Sequence, residues 1–249
     1  MKRYSLILSN PGEPGADNYC KGVHKDVLNY QQFFTSPIGG LWEPSEIHLL
    51  ERPSVLRVRL KILELRDYDY VVVVFTGHGW YSTKSNSTIL ELRKGQEIDS
   101  AAFRIGTGKM TMILDCCREK HDAIPESVVF SERVASAKPI INPTDCRKYY
   151  DEQITKAPEE LVVMYACAMN QRAGDDTQNG GAYTHNLIEG AEKWVETCDI
   201  DTRKDYKILT VPAAHDLALP GVQMLRGDRQ TPQIEKPRSG PYYPFCVVA

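Results

Sequence analysis

The stretch VVVVFTGHGW, Val71 to Trp80, decides how this chain is read. Five apolar residues, Val71 to Phe75, run into a turn of small residues that carries His78 between Gly77 and Gly79. A continuous Val-rich run suits a strand covered on both faces, as in a parallel sheet. Glycine on either side permits a sharp turn and close backbone approach. A buried strand therefore ends by presenting an imidazole at its carboxyl end, where open α/β sheets bind their ligands.

Outward from that stretch, three segments share its character: YSLILS (Tyr4–Ser9), EIHLLE (Glu46–Glu51) and MTMILD (Met110–Asp115). A fifth, LVVMYACA (Leu161–Ala168), follows after a long interval. Between them, GVHKDVLNYQQFF places Val23, Val27, Tyr30 and Phe34 on one helical face, and PSVLRVRLKILELR spaces Leu56, Leu60 and Leu63 similarly behind Pro53. Strand–helix alternation predicts a doubly wound, mostly parallel sheet with right-handed crossovers, in a single domain over residues 1–249. STILELRKGQEIDSAAF reads as an inserted hairpin turning at Lys94–Gly95. Helices are expected at Gly181–Val195 and Val211–Leu225, and SGPYYPFCVVA reads as a terminal edge strand. From Arg118 to Pro158 the pattern dissolves into charges and prolines, too long for an ordinary connection.

Composition narrows the function classes. With 42% apolar and 25% charged residues the chain is an ordinary folded protein. A net charge of −3 carries no basic bias, so nucleic acid and anionic membrane are poor default partners. Seven scattered cysteines, Cys116 and Cys117 adjacent among them, do not form a disulfide framework and point to a reducing compartment. The apolar stretch after Met1 is too short for a signal peptide, and no run can span a bilayer, so a soluble cytoplasmic protein is expected.

The third strand ends in TGHG and the fourth in DCCRE. If these two strands pair, His78 and a cysteine emerge side by side above the sheet. A lone histidine there is more often a structural hydrogen-bonder, and a lone cysteine a small hydrophobe. Together they suit nucleophilic thiol chemistry, in which an imidazolium keeps a thiolate ionised and later protonates the leaving group. The amides of Gly79 and of the nucleophile can then hold a developing oxyanion.

FTGHG and ILDCCRE, with histidine before cysteine at this separation, resemble the caspase-like cysteine peptidases, the metacaspases and bacterial caspase-like enzymes among them. CKGVHKDVLNY (Gly22, Asp26) and ACAMNQRAGDDTQNGGAYT (Gln171, Ala173, Asp175, Gly181, Tyr183, Thr184) are similar to two further motifs of that family, in order. The resemblance implies a caspase-like three-layer α/β/α sandwich. It implies a catalytic dyad of His78 and Cys117, with Cys116 as the small residue before the nucleophile, and an oxyanion site at the amides of Gly79 and Cys117. It implies a first specificity pocket formed by Asp26 and Asp115 beside Thr76, and hence protein or peptide substrates cut after Arg or Lys, since paired carboxylates favour a cation. The aspartate pair through which many metacaspases bind calcium is missing; Glu91, Glu97 and Asp99 are the acids in that region, so neither calcium nor another cofactor is expected to be required. Residues 118–160 fall where the family carries an activation linker, and self-cleavage of a zymogen is expected at Lys120, Arg133, Lys138, Arg147, Lys148 or Lys156, or switching by a protein partner.

Other motifs fall away. GTGKMT (Gly106–Thr111) has the look of a phosphate loop but lacks its leading glycine and hydroxyl, and it precedes a strand. NST (Asn86–Thr88) matches a glycosylation acceptor without a secretory context. Cys116, Cys117, His121 and Cys146 lack paired zinc-ligand spacing. Two rival readings remain open: a catalytically silent caspase-like binding or scaffold module, which has no need of both His78 and Cys117, and an unrelated cysteine hydrolase, which has no need of the acidic pocket.

Overall fold

The computed structural model describes residues 1–104, 108–119, 126–127, 141–199 and 205–249. Its centre is a six-stranded sheet built from β1 (Arg3–Asn10), β2 (Ile47–Glu51), β3 (Tyr70–Gly77), β7 (Met110–Cys116), β9 (Leu161–Tyr165) and β13 (Gln233–Glu235). The strand order is β13-β9-β7-β3-β1-β2. All neighbours are parallel except β13, which runs antiparallel to β9. The continuous apolar runs are explained by burial on both faces. Ile7, Val72, Val74 and Ile113 belong to one core, and Leu6, Val73, Phe75 and Leu114 to the other.

The first core is covered by α1 (Gly22–Thr35), α3 (Pro143–Lys156), α4 (Ala182–Thr197) and α5 (Val211–Arg226). The second is covered by α2 (Val55–Glu64) and by a small antiparallel sheet of β4 (Gly79–Ser82), β5 (Ser87–Arg93) and β6 (Gln96–Asp99). The expected hairpin at Lys94–Gly95 is β5–β6; β4, which continues directly from His78, pairs with β5 and was not foreseen. A minor sheet consists of β8 (Glu126–Ser127), β10 (Gly174–Asp176) and β11 (Gly180–Gly181).

Two sequence expectations need correction. Residues Pro143–Lys156, inside the presumed 118–160 linker, form α3, capped by Asn142 through Thr144 N and Asp145 N and anchored by Cys146, Tyr150 and Ile154. A stripe of one apolar residue every fourth position in a polar segment is too sparse to read as a helix. The expected terminal strand is present as β14 (Pro244–Val248), but it pairs antiparallel with β12 (Lys207–Thr210) in a separate two-stranded sheet and is fully buried.

In α2 the buried face is Val58 and Ile62, with Leu65 just beyond, while Leu56, Leu60 and Leu63 stay exposed. Both stripes have helical spacing, and packing against Leu6, Leu8 and Leu50 selects the slimmer one. Val58→Ala is therefore expected to cost about 1–2.5 kcal/mol in chemical denaturation, and Leu60→Ala less than about 0.5 kcal/mol. Equal costs would reject this assignment of faces.

Candidate active site

Register places the site. In the β3–β7 ladder Thr76 stands opposite Asp115 and Gly77 opposite Cys116, so His78 and Cys117 leave the sheet as the next residues on neighbouring strands. The anticipated pairing of the third and fourth strands is thus present, and both side chains line one pocket at the carboxyl end of the sheet. The glycines around His78 have steric reasons. Gly77 adopts φ +141°, and a Cβ there would sit 2.2 Å from Asn10 O. A Cβ on Gly79 would come within 2.8 Å of Cys116 Sγ and of Ile89 O.

That contact separates the two cysteines. Cys116 points into the core beneath β4 and is 1% exposed. Cys117 is the one that lines the pocket, where its Sγ lies 4.0 Å from Ala173 O. Gly77 lines the pocket as well; Gly79 does not.

The resting geometry differs from a preformed ion pair. Burial pushes the Cys117 thiol above its ordinary pKa, opposed by the contact with the Ala173 backbone. No hydrogen bond joins Cys117 to His78 among the described residues. His78 Nε2 instead faces Cys20 Sγ at 3.8 Å and the loop at Gly12. Burial thus favours the protonated form of the Cys117 thiol, and the imidazole that shares its pocket makes no hydrogen bond to it.

The pocket floor is acidic. Asp26, on α1, accepts Thr76 Oγ1 at 2.6 Å and Gly181 N at 2.7 Å. Asp115 accepts Thr184 Oγ1 at 2.6 Å and Thr184 N at 3.0 Å through Oδ2. Both are buried, and a Cβ on Gly180 or Gly181 would collide with these carboxylates, so the turn into α4 passes directly over them. Desolvation, with Asp115 nearby, raises Asp26 well above the carboxylate range. Desolvation likewise lifts Asp115 to about 6, against its two hydrogen bonds from Thr184.

A third carboxylate, Asp175 on β10, also lines the pocket; it accepts Gly22 N at 3.2 Å, and burial raises it too. Sequence reasoning aligned Asp175 with a motif but did not place it with Asp26 and Asp115. The structure packs Asp175 tightly on Gly22, where a Cβ would lie 2.0 Å from Asp175 Oδ1, a long-range contact with no counterpart in local sequence spacing.

Asp26, Asp115 and Thr76, expected together, are together. The discarded zinc grouping stays discarded: Cys116 and Cys146 lie in cores on opposite faces of the sheet, and His121 is outside the described residues. Among the described residues no three or more His, Cys, Asp or Glu side chains gather as metal ligands, and Asp99 is engaged by Ser87 Oγ and Ala101 N. The pocket holds about 30 Å³, room for a water or two. β10 and β11, which border the pocket, pair with each other at Asp175–Gly181 and Asp176–Gly180. No helix among the described residues is long and apolar enough to cross a membrane.

Comparison with known proteins agrees with this geometry. A family model described as the caspase domain matches residues 2–239. Among solved structures the chain is similar to caspase-1 from Spodoptera frugiperda, with a TM-score of 0.57 over 94% of this chain and 86% of that one. Their identity is 10%, so this likeness speaks for the fold. No curated protein matches by sequence.

Proposed function

This chain belongs to the caspase-domain peptidase family, and on that premise we propose that it is a cysteine endopeptidase cutting proteins after arginine or lysine. One observation carries the specificity: Asp26, Asp115 and Asp175 line the same pocket as His78 and Cys117. Three carboxylates whose charged forms are disfavoured by burial lose that cost when a guanidinium or ammonium enters, and a buried acidic substituent on the substrate would meet only repulsion.

The chemistry follows from the two reacting groups. His78 takes the thiol proton as Cys117 Sγ bonds to the scissile carbonyl carbon. The carbonyl oxygen becomes an oxyanion held by backbone amides, those of Gly79 and Cys117 being the proposed donors. Collapse breaks the C–N bond, and His78 returns the proton to the departing amine. Water, deprotonated by His78, then cleaves the thioester and restores the thiol. Neither a metal nor an organic cofactor enters any of these steps.

Release of fluorophore from peptides ending in Arg, Lys, Asp or Leu, with EDTA in every reaction, tests the proposal. Cleavage after Arg and Lys exceeding that after Asp and Leu by about a hundredfold or more is expected from one buried charge pair. Preferred cleavage after Asp, or activity only when calcium replaces EDTA, would reject the corresponding part. Silence toward every peptide, in full chain and in self-processed material alike, would favour the scaffold reading.

Self-processing is narrowed by α3. Arg147 is tied to Glu46 Oε1 at 2.8 Å and to Leu41 O at 2.7 Å, and Lys148 and Lys156 also lie in the helix. A peptidase cleft takes an extended segment, so cuts are expected at Lys120, Arg133 or Lys138, which lie outside the described residues. Intact-mass analysis of wild type beside Cys117→Ala locates them. Cutting at Arg147 or Lys148, or identical patterns from both proteins, would overturn this.

A further inference from the structure

Helix α2 covers one face of the sheet and leaves its other side bare. Leu56, Leu60 and Leu63 are 68%, 54% and 57% exposed, whereas Val58 is fully buried. Single exposed leucines are ordinary; three in line are not. Their spacing of four then three is the a/d seam along which two helices pair. The positions that flank such a seam are Arg57, Arg59 and Glu64, with Arg66 in the 3-10 turn Leu65–Asp67 directly after α2. All three arginines are exposed and in no ion pair among the described residues, while Glu64 is already taken by Lys61 Nζ at 2.6 Å. A chain of net charge −3 has thus placed an apolar stripe between unpaired cations.

We infer that this face of α2 docks an acidic amphipathic helix of another polypeptide, its apolar seam on the three leucines and its flanking Glu or Asp residues on Arg57, Arg59 and Arg66. The charges choose the occupant. A second copy of this chain would offer only Glu64, already engaged by Lys61, to set against three arginines. A lipid surface would be met by three leucines on a ten-residue helix with no aromatic in the stripe, a small apolar area for interfacial binding. Val55 N, at the start of α2, bonds Gln96 Oε1 of β6 at 3.0 Å, so the partner would lie beside the small sheet that continues from His78. Docking there needs no peptidase chemistry, and its failure leaves the cleavage assay untouched.

The probe is a fluorescein-labelled peptide of about three heptads with leucine at a and d and glutamate at e and g, which also keeps it from pairing with itself. Its counterpart carries lysine at e and g. Wild-type chain is expected to bind the acidic peptide at least about tenfold tighter than the basic one, with affinity falling as salt rises. Leu60→Glu should weaken binding by about tenfold or more, as loss of a central apolar contact does. Met224→Glu, 84% exposed on α5 across the sheet, should change nothing. No binding of the acidic peptide, equal binding of both, or full binding by Leu60→Glu would overturn the inference. So would a wild-type dimer in sedimentation that Leu60→Glu abolishes, which assigns the face to self-association. Flotation with anionic vesicles, lost in Leu60→Glu while the peptides fail to bind, would assign it to lipid instead.

Discussion

Cys117→Ala is expected to lower kcat toward an arginine peptide by about 10⁴-fold or more, and His78→Ala by a comparable factor. The double variant should lose little beyond either single one, because nucleophile and base act as a unit. The resting geometry makes His78 more than a spectator. Burial raises the Cys117 thiol above its ordinary pKa, so at neutral pH little thiolate forms unless a nearby base takes the proton. Without His78, residual cleavage depends on spontaneous ionisation and should climb roughly tenfold per pH unit below the thiol pKa, whereas wild type should be much flatter near neutrality. Stopped or continuous fluorescence assays across pH read this directly. A His78→Ala variant with wild-type kcat and an unchanged pH profile would remove the imidazole from the mechanism.

Cys116→Ser separates the adjacent thiols. Cys116 packs under Gly79, so this change should lower stability while leaving cleavage within a few-fold, the reverse of Cys117→Ala. The adjacency DCC leaves two thiols to choose from, and the resemblance implies Cys117; in the structure β7 is buried through Cys116, and the first residue past the ladder lines the pocket.

What could be read from sequence follows how strongly burial constrains each segment. The strands β1, β3 and β7 are covered on both faces, leaving short, largely apolar runs bounded by turn residues that read as buried strands. Val23, Val27, Tyr30 and Phe34 gave one clear stripe on α1, and all four are buried. Helix α2 carries two competing stripes, and only the partner surface decides between them. Helix α3 offers too few apolar positions to announce itself. The site splits the same way. His78 and a neighbouring cysteine sit at strand ends in fixed register, so local pattern reveals them, whereas Cys117 over Cys116, and Asp26, Thr76 and Asp115 as a pocket, are legible only through the family resemblance. Asp175 reaches the pocket through a bond to Gly22 N spanning 153 positions, a contact that no local spacing encodes.

Asp115→Asn is expected to make the protein more stable at neutral pH and a far poorer enzyme for basic substrates. The folded state raises Asp115 from 3.8 to about 6, chiefly by desolvation. Between about pH 4 and pH 6 the folded chain therefore keeps a proton that the unfolded chain has released. Stability falls as pH rises through that window and stays lower above it, by about 3 kcal/mol for roughly two units. Asparagine removes the ionisation while its side-chain oxygen can still accept from Thr184. Its melting temperature should exceed that of wild type by several degrees at pH 7.5 and converge with it near pH 4. Catalysis should move the other way. A guanidinium entering the pocket would lose one of its anions, costing about 10²- to 10³-fold in kcat/KM toward arginine. In wild type the KM for an arginine peptide should fall as pH rises through about 6, where Asp115 ionises, and this inflection should vanish in Asp115→Asn. Were the carboxylate merely a structural partner of Thr184, the variant would be less stable at every pH and would slow arginine and leucine peptides alike. The combination of a stabilised fold, a selective loss and a missing inflection belongs only to a carboxylate kept buried to receive a cation.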